Sequence, residues 1–294
     1  MSPAGFDKSN WGRWGADDER GTLNLIGSSE VLRATSGVTV GNVIPLYQLL
    51  GPQTDMPPHR KHLERFMTRD GGDYASGARR PGGFQFAEEV VSFAAHSGTH
   101  LDALAHAWYD DALYNGFPST TVRSTSGAQR CGADKLGAIV TRGVLLDVVA
   151  VRGQALSRGE VITVEDLRSA AELNQCKIAS GDAVLIRTGW FESASGSEDY
   201  FEGEPGIGLD AAAWLAEHNV ALVGADNYAI EALPSSEGVF PVHQLLIRDC
   251  GTPLLEGLVL DELARAASSS FLFVGVPLPL VGGTAGPISP IAVI

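Results

Sequence analysis

Cysteine is scarce in this 294-residue chain, and the three that occur are far apart: Cys131, Cys176 and Cys250. The sequence has no C-x-x-C pair and an odd number of cysteines, so we expect neither a disulfide framework nor a cysteine-based zinc site. Basic residues are also few, 21 against 35 acidic ones, which gives a formal net charge of −14. Because binding to a phosphate backbone needs clustered Lys and Arg, we expect no nucleic-acid partner.

The sequence also lacks long apolar runs. No segment reaches the length of a transmembrane helix, and residues 1–15 lack the apolar stretch of a signal peptide. We therefore expect a cytoplasmic protein with no membrane partner. The G-x-S-x-G pattern of many serine hydrolases does not occur either, which disfavours a serine nucleophile.

Hydrophobic residues make up 44% of the chain, enough for one sizeable core at this length. We expect a single domain over residues 1–294, with two smaller domains as the alternative. Residues 1–30 are polar and rich in glycine, and they contain the segments Asn10-Trp11-Gly12 and Arg13-Trp14-Gly15. We interpret them as an extended N-terminal arm that packs on another surface, such as a neighbouring subunit. Residues 51–85 contain many Pro, Gly, Arg and Asp residues and are predicted to form a long loop.

Apolar runs and helix-start patterns predict strands that alternate with helices only in the second half of the chain. The predicted strands are 89–95, 144–149, 182–187, 220–225 and 271–276, and the predicted helices are 164–176, 209–218 and 261–267. A capping-box pattern from Thr163 to Asp166 marks the start of the first of these helices. The combination favours a mixed α/β fold with an unequal sheet over a uniform doubly wound fold.

Three of the seven histidines fall within eleven residues, in the run His96-Ser-Gly-Thr-His100-Leu-Asp102-Ala-Leu-Ala-His106. Imidazole nitrogens and carboxylate oxygens are the ligands of catalytic Zn²⁺ and Mn²⁺ sites. On an extended backbone residues 96, 98, 100 and 102 share a face, and Gly98 leaves room there and lets the chain bend. A helix would turn Asp102 away from the histidines, so we expect a strand end followed by a turn. The alternative is a loop with three hydrogen-bonded histidines.

The same run resembles the H-x-G-T-H-x-D-x-x-x-H signature of the cyclase family, which includes bacterial kynurenine formamidases and isatin hydrolases. Other segments resemble the longer branch of that family: Trp108-Tyr109-Asp110-Asp111, Tyr114-Asn115-Gly116, the stretch from Trp14 to Asn24, the stretch from Gly181 to Trp190, and the Gly-Gly-Thr tail. The resemblance therefore spans nearly the whole chain.

This resemblance implies roles for the four residues of the central motif. In the family the first two histidines and the aspartate bind the metal, and the last histidine is the catalytic acid/base. Carried over to this sequence, the metal ligands are His96, His100 and Asp102, and the general acid/base is His106. The implied cofactor is one or two divalent ions, Zn²⁺ or Mn²⁺.

Some family members hold a second metal with the same aspartate and a later His and Glu. The segment from Val242 to Leu258 resembles that element and places the later ligands at His243 and Glu256. The alternative for both is polar surface on a loop and at a helix start.

The implied activity is metal-dependent hydrolysis of a C–N bond, in which a metal-activated water attacks the carbonyl of a small cyclic or aryl amide. Formamidases usually carry a proline between the aspartate and the last histidine, and Leu104 stands in that stretch here, which weakens the case for a formamidase substrate. One alternative is hydrolysis of a small lactone, because the ligand set does not encode the leaving atom. Another is a non-catalytic protein that binds a metal or small molecule.

Three further residues are candidates for substrate binding. Arg187 could hold a substrate carboxylate, although an arginine at a strand end is more often solvated. Trp14 and Trp108 could line a pocket for a flat ring, although core packing or a subunit contact explains them equally well. We expect a small anionic or aromatic substrate. Asp226 and Asn227, at the end of a predicted strand, could approach the metal region.

The resemblance also implies the architecture and the assembly. It implies a layered, swivelling β/β/α-type fold around a central mixed sheet. It further implies a homodimer or homotetramer in which the N-terminal arm reaches the site of a neighbour.

Overall fold

A computed structural model of the chain describes residues 9–268 and 270–294. Residues 1–8, the beginning of the predicted arm, and residue 269 lie outside this description. Fifteen strands and eight α-helices occur within the described residues. None of these helices combines the length and the apolar character that crossing a membrane requires.

The strands are β1 (Val43–Pro45), β2 (Glu64–Arg69), β3 (Glu88–Ser92), β4 (His100–Asp102), β5 (Val122–Arg123), β6 (Gly127–Ala128), β7 (Ile139–Asp147), β8 (Val161–Ile162), β9 (Ala183–Arg187), β10 (Gly206–Ile207), β11 (Leu222–Ala225), β12 (Leu254–Glu256), β13 (Ser270–Gly275), β14 (Ala285–Pro287) and β15 (Ile291–Val293). The helices are α1 (Ser28–Ser36), α2 (Gly71–Ala75), α3 (Val148–Arg152), α4 (Val164–Leu173), α5 (Trp190–Ala194), α6 (Leu209–Glu217), α7 (Pro241–His243) and α8 (Asp261–Arg265). A π-helical segment, Gln244–Asp249, continues α7. Short 3₁₀ turns lie at Gly21–Leu25, Pro81–Gly83, Tyr114–Gly116, Ser119–Thr121 and Ala133–Lys135.

One large mixed sheet organises the fold. Within the described residues it has nine strands in the order β1-β15-β13-β7-β9-β11-β12-β4-β14. The four central strands β7, β9, β11 and β12 are parallel, and every other pairing in this sheet is antiparallel. The predicted mixed α/β class is therefore confirmed.

The central strands are apolar on both faces because the sheet lies between two layers of packed side chains. Leu146 and Ile186 face the core that includes α4 and α6. Their neighbours Leu145 and Leu185 face the opposite core, which also covers β13 and β15. This alternation explains why these strands read in the sequence as continuous apolar runs.

The predicted start of α4 is confirmed in detail. The Thr163 side chain accepts a hydrogen bond from the Asp166 N–H, and the Asp166 carboxylate accepts one from the Thr163 N–H. These reciprocal bonds satisfy two backbone donors that the first helical turn leaves free. The helix ends at Leu173, three residues before the predicted end.

The strand predicted at 89–95 forms as β3, but it does not enter the large sheet. It pairs with β2 in a separate antiparallel hairpin, and β2 lies inside the segment 51–85 that was predicted to be a loop. Most side chains of both strands are exposed. Neither strand therefore shows the buried-face alternation by which the sequence reveals a strand.

The described part of the predicted N-terminal arm packs on its own chain. The Asn10 N–H donates to the Asp249 carbonyl at 3.0 Å, and the Trp11 indole N–H donates to the Arg248 carbonyl at 2.8 Å. The Arg248 guanidinium also lies over the Trp11 ring. The described arm therefore lies against the end of the π-helical segment in its own chain, and its contact with a neighbouring subunit stays a prediction.

Replacing Phe273 with alanine should strongly destabilise the fold. Its ring is fully buried on β13, so truncation leaves a cavity and costs about 3–5 kcal/mol of unfolding free energy. Urea unfolding followed by circular dichroism measures this loss. Val276→Ala is the control, because that side chain is 59% exposed and its truncation should have little effect. A loss below about 1 kcal/mol for Phe273→Ala would contradict the assigned core.

Candidate metal centre

Strand β4 carries the middle of the histidine motif, between β12 and β14. His100 and Asp102 are two residues apart on this strand, so their side chains share a face. Glu256 on β12 lies directly opposite His100 in the antiparallel pairing and shares the same face. The Glu256 Oε2 atom is 3.2 Å from His100 Nε2. Sheet register therefore brings together two segments more than 150 residues apart in sequence.

Two glycines allow these segments to approach closely. Gly98 has a φ of 53° and Gly257 a φ of 65°, both in the left-handed region that favours glycine. A Cβ atom on Gly257 would lie only 2.6 Å from the Gly98 carbonyl oxygen. The bend at Gly98 also means that the extended face predicted for residues 96–102 is limited to 100–102.

Two turns bring the outer histidines back to Asp102. The bend at Gly98 places His96 Nδ1 2.8 Å from Asp102 Oδ1. A turn closed by the hydrogen bond from the His106 N–H to the Ala103 carbonyl places His106 Nε2 3.8 Å from Asp102 Oδ2. The centroids of the His96 and His106 rings are 4.1 Å apart.

A fourth histidine enters from a distant part of the chain. His243 ends α7, and its Nε2 lies 3.7 Å from Asp102 Oδ2 and 3.3 Å from Glu256 Oε1. Its Nδ1 forms a 2.6 Å hydrogen bond with Glu231, whose carboxylate also accepts the backbone N–H groups of Val242 and His243. Glu231 therefore fixes both the backbone and the ring of His243.

Several polar atoms in this cluster are buried and have no hydrogen-bond partner in the described part of the chain: His96 Nδ1, His100 Nε2, Asp102 Oδ1, Asp102 Oδ2 and Glu256 Oε1. The short His96–Asp102 contact does not have the alignment of a hydrogen bond, although the two atoms are 2.8 Å apart. Because buried polar atoms are nearly always satisfied, several orphaned lone pairs that face one another fit a bound cation. Nitrogen and carboxylate donors are the set that Zn²⁺ and Mn²⁺ accept.

The ligand atoms fall into two triads that share Asp102. His96, Asp102 and His106 form one triad, and His100, Asp102 and Glu256 form the other, with the ligand atoms of each within 4.8 Å of one another. The predicted ligands His96 and His100 both approach Asp102 Oδ1, at 2.8 Å and 3.7 Å. His106, to which the resemblance gives a proton-transfer role, shares the first triad with His96.

Burial and neighbouring charges set the protonation of the cluster. Burial lowers the pKa of His106 to about 4. Burial alone would raise the pKa of Asp102, but His106 and His96 hold it well below its ordinary value. For His243, burial lowers the pKa, but the hydrogen bond to Glu231 outweighs this and raises it well above its ordinary value. A cation would displace such protons when it binds.

A cavity of about 330 Å³ opens beside the cluster. Its walls include His59, Arg60, His106, Tyr228, Phe240 and His243. This volume lies in the range of small-molecule sites, and the mixture of aromatic walls and a few polar groups is typical of them. Arg60 and Tyr228 also line a narrower cleft on the side of His96 and His100.

The three residues predicted to bind substrate are not among the described lining residues of this cavity. Arg187 forms ion pairs with Asp147 and Glu192, at 3.2 Å and 2.6 Å. Trp14 packs under the guanidinium of its neighbour in sequence, and Trp108 is 40% exposed. The described walls of the cavity contain none of the three.

Asp226 and Asn227 follow β11 and hold nearby loops rather than facing the histidines. The Asp226 carboxylate accepts hydrogen bonds from the backbone N–H groups of Thr188 and Gly189. The Asn227 side chain donates to the Pro205 carbonyl at 2.7 Å and accepts from the Ile230 N–H. Among the described hydrogen bonds and ion pairs of the cluster, neither residue appears as a direct partner.

Several contributors to the site were not found from the sequence. Glu231 and Arg60 stand in segments without a motif, so no local pattern indicated them. Thr284 lies 3.2 Å from His96 Nε2 and belongs to the Gly-Gly-Thr tail, whose sequence gives no indication of a contact with the histidine motif.

Comparison with known proteins agrees with this architecture. The Cyclase family matches residues 37–232. A solved structure described as a novel cyclase has 33% sequence identity and a TM-score of 0.91, with 98% of this chain and 100% of that chain covered.

The curated relatives include an isatin hydrolase and a kynurenine formamidase. Isatin hydrolase from Roseibium aggregatum is 25% identical over 265 residues, which cover 86% of this chain and 91% of that protein. Kynurenine formamidase from Bordetella petrii is 28% identical over 198 residues, which cover 67% of this chain and 76% of that protein. The family match covers more than half of the chain, and the motif, the sheet and the relatives agree with it. This chain belongs to the Cyclase family.

Proposed function

We propose that this protein is a metal-dependent hydrolase that cleaves the C–N bond of a small cyclic or aryl amide. The observation that carries the proposal is the set of orphaned, buried donor atoms around Asp102, placed beside a cavity of small-molecule size. A fully buried carboxylate facing several imidazoles has little structural use, because removing its charge from water costs free energy that packing does not recover.

The residues proposed to hold the cation are Asp102 at the centre, with His96 and His100 as the nitrogen ligands from the same segment. His243 and Glu256, together with the same Asp102, would hold a second ion. Zn²⁺ and Mn²⁺ both suit this donor set. A divalent cation supplies two effects in such a site, a lower pKa for water and polarisation of the substrate carbonyl.

His106 is proposed as the general acid/base. It is the histidine of the central motif that lines the cavity, and its side chain is 28% exposed there, so a substrate can reach it. Its imidazole takes a proton from the attacking water and returns it to the leaving nitrogen of the amide. The turn closed by the hydrogen bond to the Ala103 carbonyl fixes the position of His106 next to Asp102.

The relatives support an amide as the substrate class. Isatin contains a cyclic amide fused to an aromatic ring, and a formamidase cleaves a formamide. Tyr228 and Phe240 give the cavity aromatic walls that suit a flat ring. A lactone differs from such an amide only in its leaving atom, so the assays need both kinds of substrate.

His106→Ala should keep the metal and lose turnover, whereas His100→Ala should lose both. General acid–base catalysis contributes about 10²–10⁴-fold, and we expect kcat to fall by that factor in the first variant. The measurements are metal content by elemental analysis and hydrolysis of formanilide and isatin. His218→Ala, at the end of α6, is the control for loss of a histidine elsewhere in the fold.

Three results would contradict the proposal. Loss of the metal from His106→Ala would make that residue a ligand instead of a proton carrier. Full activity after removal of the metal by a chelator would exclude a metal mechanism. Turnover of lactones but of no amide in the panel would replace the C–N assignment with C–O hydrolysis.

Glu231→Gln should weaken metal binding without unfolding the protein. The substitution keeps the size of the side chain but removes the charge that orients His243, and losses of this kind typically weaken metal binding by about 10–100-fold. Competition with a chromophoric chelator measures the affinity, and thermal unfolding checks the fold. The control is Glu172→Gln, an exposed carboxylate on α4. Unchanged affinity in Glu231→Gln would show that His243 does not contribute to metal binding.

A further inference from the structure

Arg60 occupies an unusual position between the cluster and the cavity. Its Nη1 atom donates a 2.8 Å hydrogen bond to the His96 carbonyl, which fixes the guanidinium next to the histidine motif. The guanidinium also lies 5.3 Å from the centre of the Tyr228 ring. Arg60 lines both the 330 Å³ cavity and the narrower cleft, so it stands at the boundary that a substrate would cross.

Within the described chain Arg60 has no carboxylate at ion-pair distance. Other partly buried arginines do: Arg187 pairs with Asp147 and Glu192, and Arg142 pairs with Asp182. A guanidinium has five N–H donors, and the described contacts of Arg60 use the donors of Nη1 alone. The remaining donors form a planar fork that matches a carboxylate.

The charges nearby are compatible with an anion once the metal is bound. Asp102 and Glu256 together balance the two charges of a divalent cation. Glu231 lies behind His243 and directs its oxygens to two backbone N–H groups and the ring. Glu256 also lines the cavity, but its charge is among those that the cation balances, and Asp55 in the narrower cleft accepts hydrogen bonds from the Ser195 hydroxyl and the Gly196 N–H. Arg60 is then the charged side chain on the cavity wall that has no ion-pair partner among the described residues.

We propose that Arg60 binds a carboxylate on the substrate, so that the preferred substrate is an aryl amide with an anionic group. This inference rests on the proposed hydrolase function and names the substrate class of the same site. The aromatic ring lies against Tyr228 and Phe240, the amide carbonyl faces the Asp102 cluster, and the carboxylate accepts two N–H bonds from Arg60. Arg60 is thus a specificity-determining residue.

Binding of benzoate and benzamide to the Zn²⁺-loaded protein tests the anion site without catalysis. The two probes have the same ring and nearly the same size but differ in charge. Isothermal titration calorimetry should show that Arg60→Met weakens benzoate binding at least tenfold and changes benzamide binding less than threefold. Arg60→Lys should retain part of the benzoate affinity because it keeps the charge but not the fork. Arg168→Met, an exposed residue on α4, controls for the loss of one positive charge.

Kinetics with 2-formamidobenzoate and formanilide test the same residue during turnover. Arg60→Met should raise KM for the anionic amide at least tenfold, with a smaller change in kcat, and should leave the kinetics of formanilide nearly unchanged. This split separates carboxylate binding from stabilisation of charge at the reacting carbonyl, which would lower kcat for both amides. Thermal unfolding of each variant confirms that it is folded, and Arg60→Gln replaces Arg60→Met if the latter is not.

The inference is overturned if the wild-type protein binds no benzoate, or if Arg60→Met binds benzoate as tightly as the wild type does. The second result would mean that the carboxylate contacts the metal alone. Equal weakening of both probes, or equal loss of kcat for both amides, also overturns it. Failure of the hydrolase proposal is distinguishable, because absence of turnover with either amide leaves the benzoate titrations to decide the role of Arg60.

Discussion

The carboxylate of Asp102 is the constraint around which the rest of the site is built. It is completely buried, and each of its oxygens faces two imidazoles within 4 Å. A charge in that position needs compensation from positive groups or a cation, because the surrounding sheet offers little solvation. The positions of His96, His100, His106 and His243 all follow from this requirement. His96 reaches Asp102 through the bend at Gly98, and His100 is its neighbour on the same face of β4. His106 reaches it through the turn closed on Ala103, and His243 from the end of α7.

Contacts between distant parts of the chain hold the segments that carry these histidines in place. The close approach of Gly98 and Gly257 lets β4 pair with β12 and so places Glu256 opposite His100. The Glu231 carboxylate fixes the end of α7 and the ring of His243. The supporting residues thus come from loops and strand ends at one edge of the sheet, while the parallel centre supplies the rigid core.

Local patterns explain which predictions from the sequence were accurate. The buried runs at β7, β9 and β11 indicated strands because apolar residues filled both faces, and the capping box at Thr163 marked a helix start by bonds between residues three apart. Strands β2 and β3 are both exposed, but β3 belongs to an apolar run in the sequence, whereas β2 has only Phe66 and Met67 between charged and polar residues and lies in a segment rich in Pro and Gly. Sequence patterns indicate burial and local hydrogen bonding, and the strands of an exposed pair bury few side chains.

The sequence by itself determined the family, the mixed α/β class and the concentration of ligand-type residues between His96 and His106, because ligands from one short segment leave a spacing that can be read directly. Only the tertiary structure decided that Glu256 lies opposite His100 and His106 beside His96, that Glu231 supports His243, and that Arg187 is engaged by carboxylates while Arg60 faces the cavity. Those facts depend on strand order and on contacts between residues tens to hundreds of positions apart. A linear pattern does not encode which charged side chains the fold brings together.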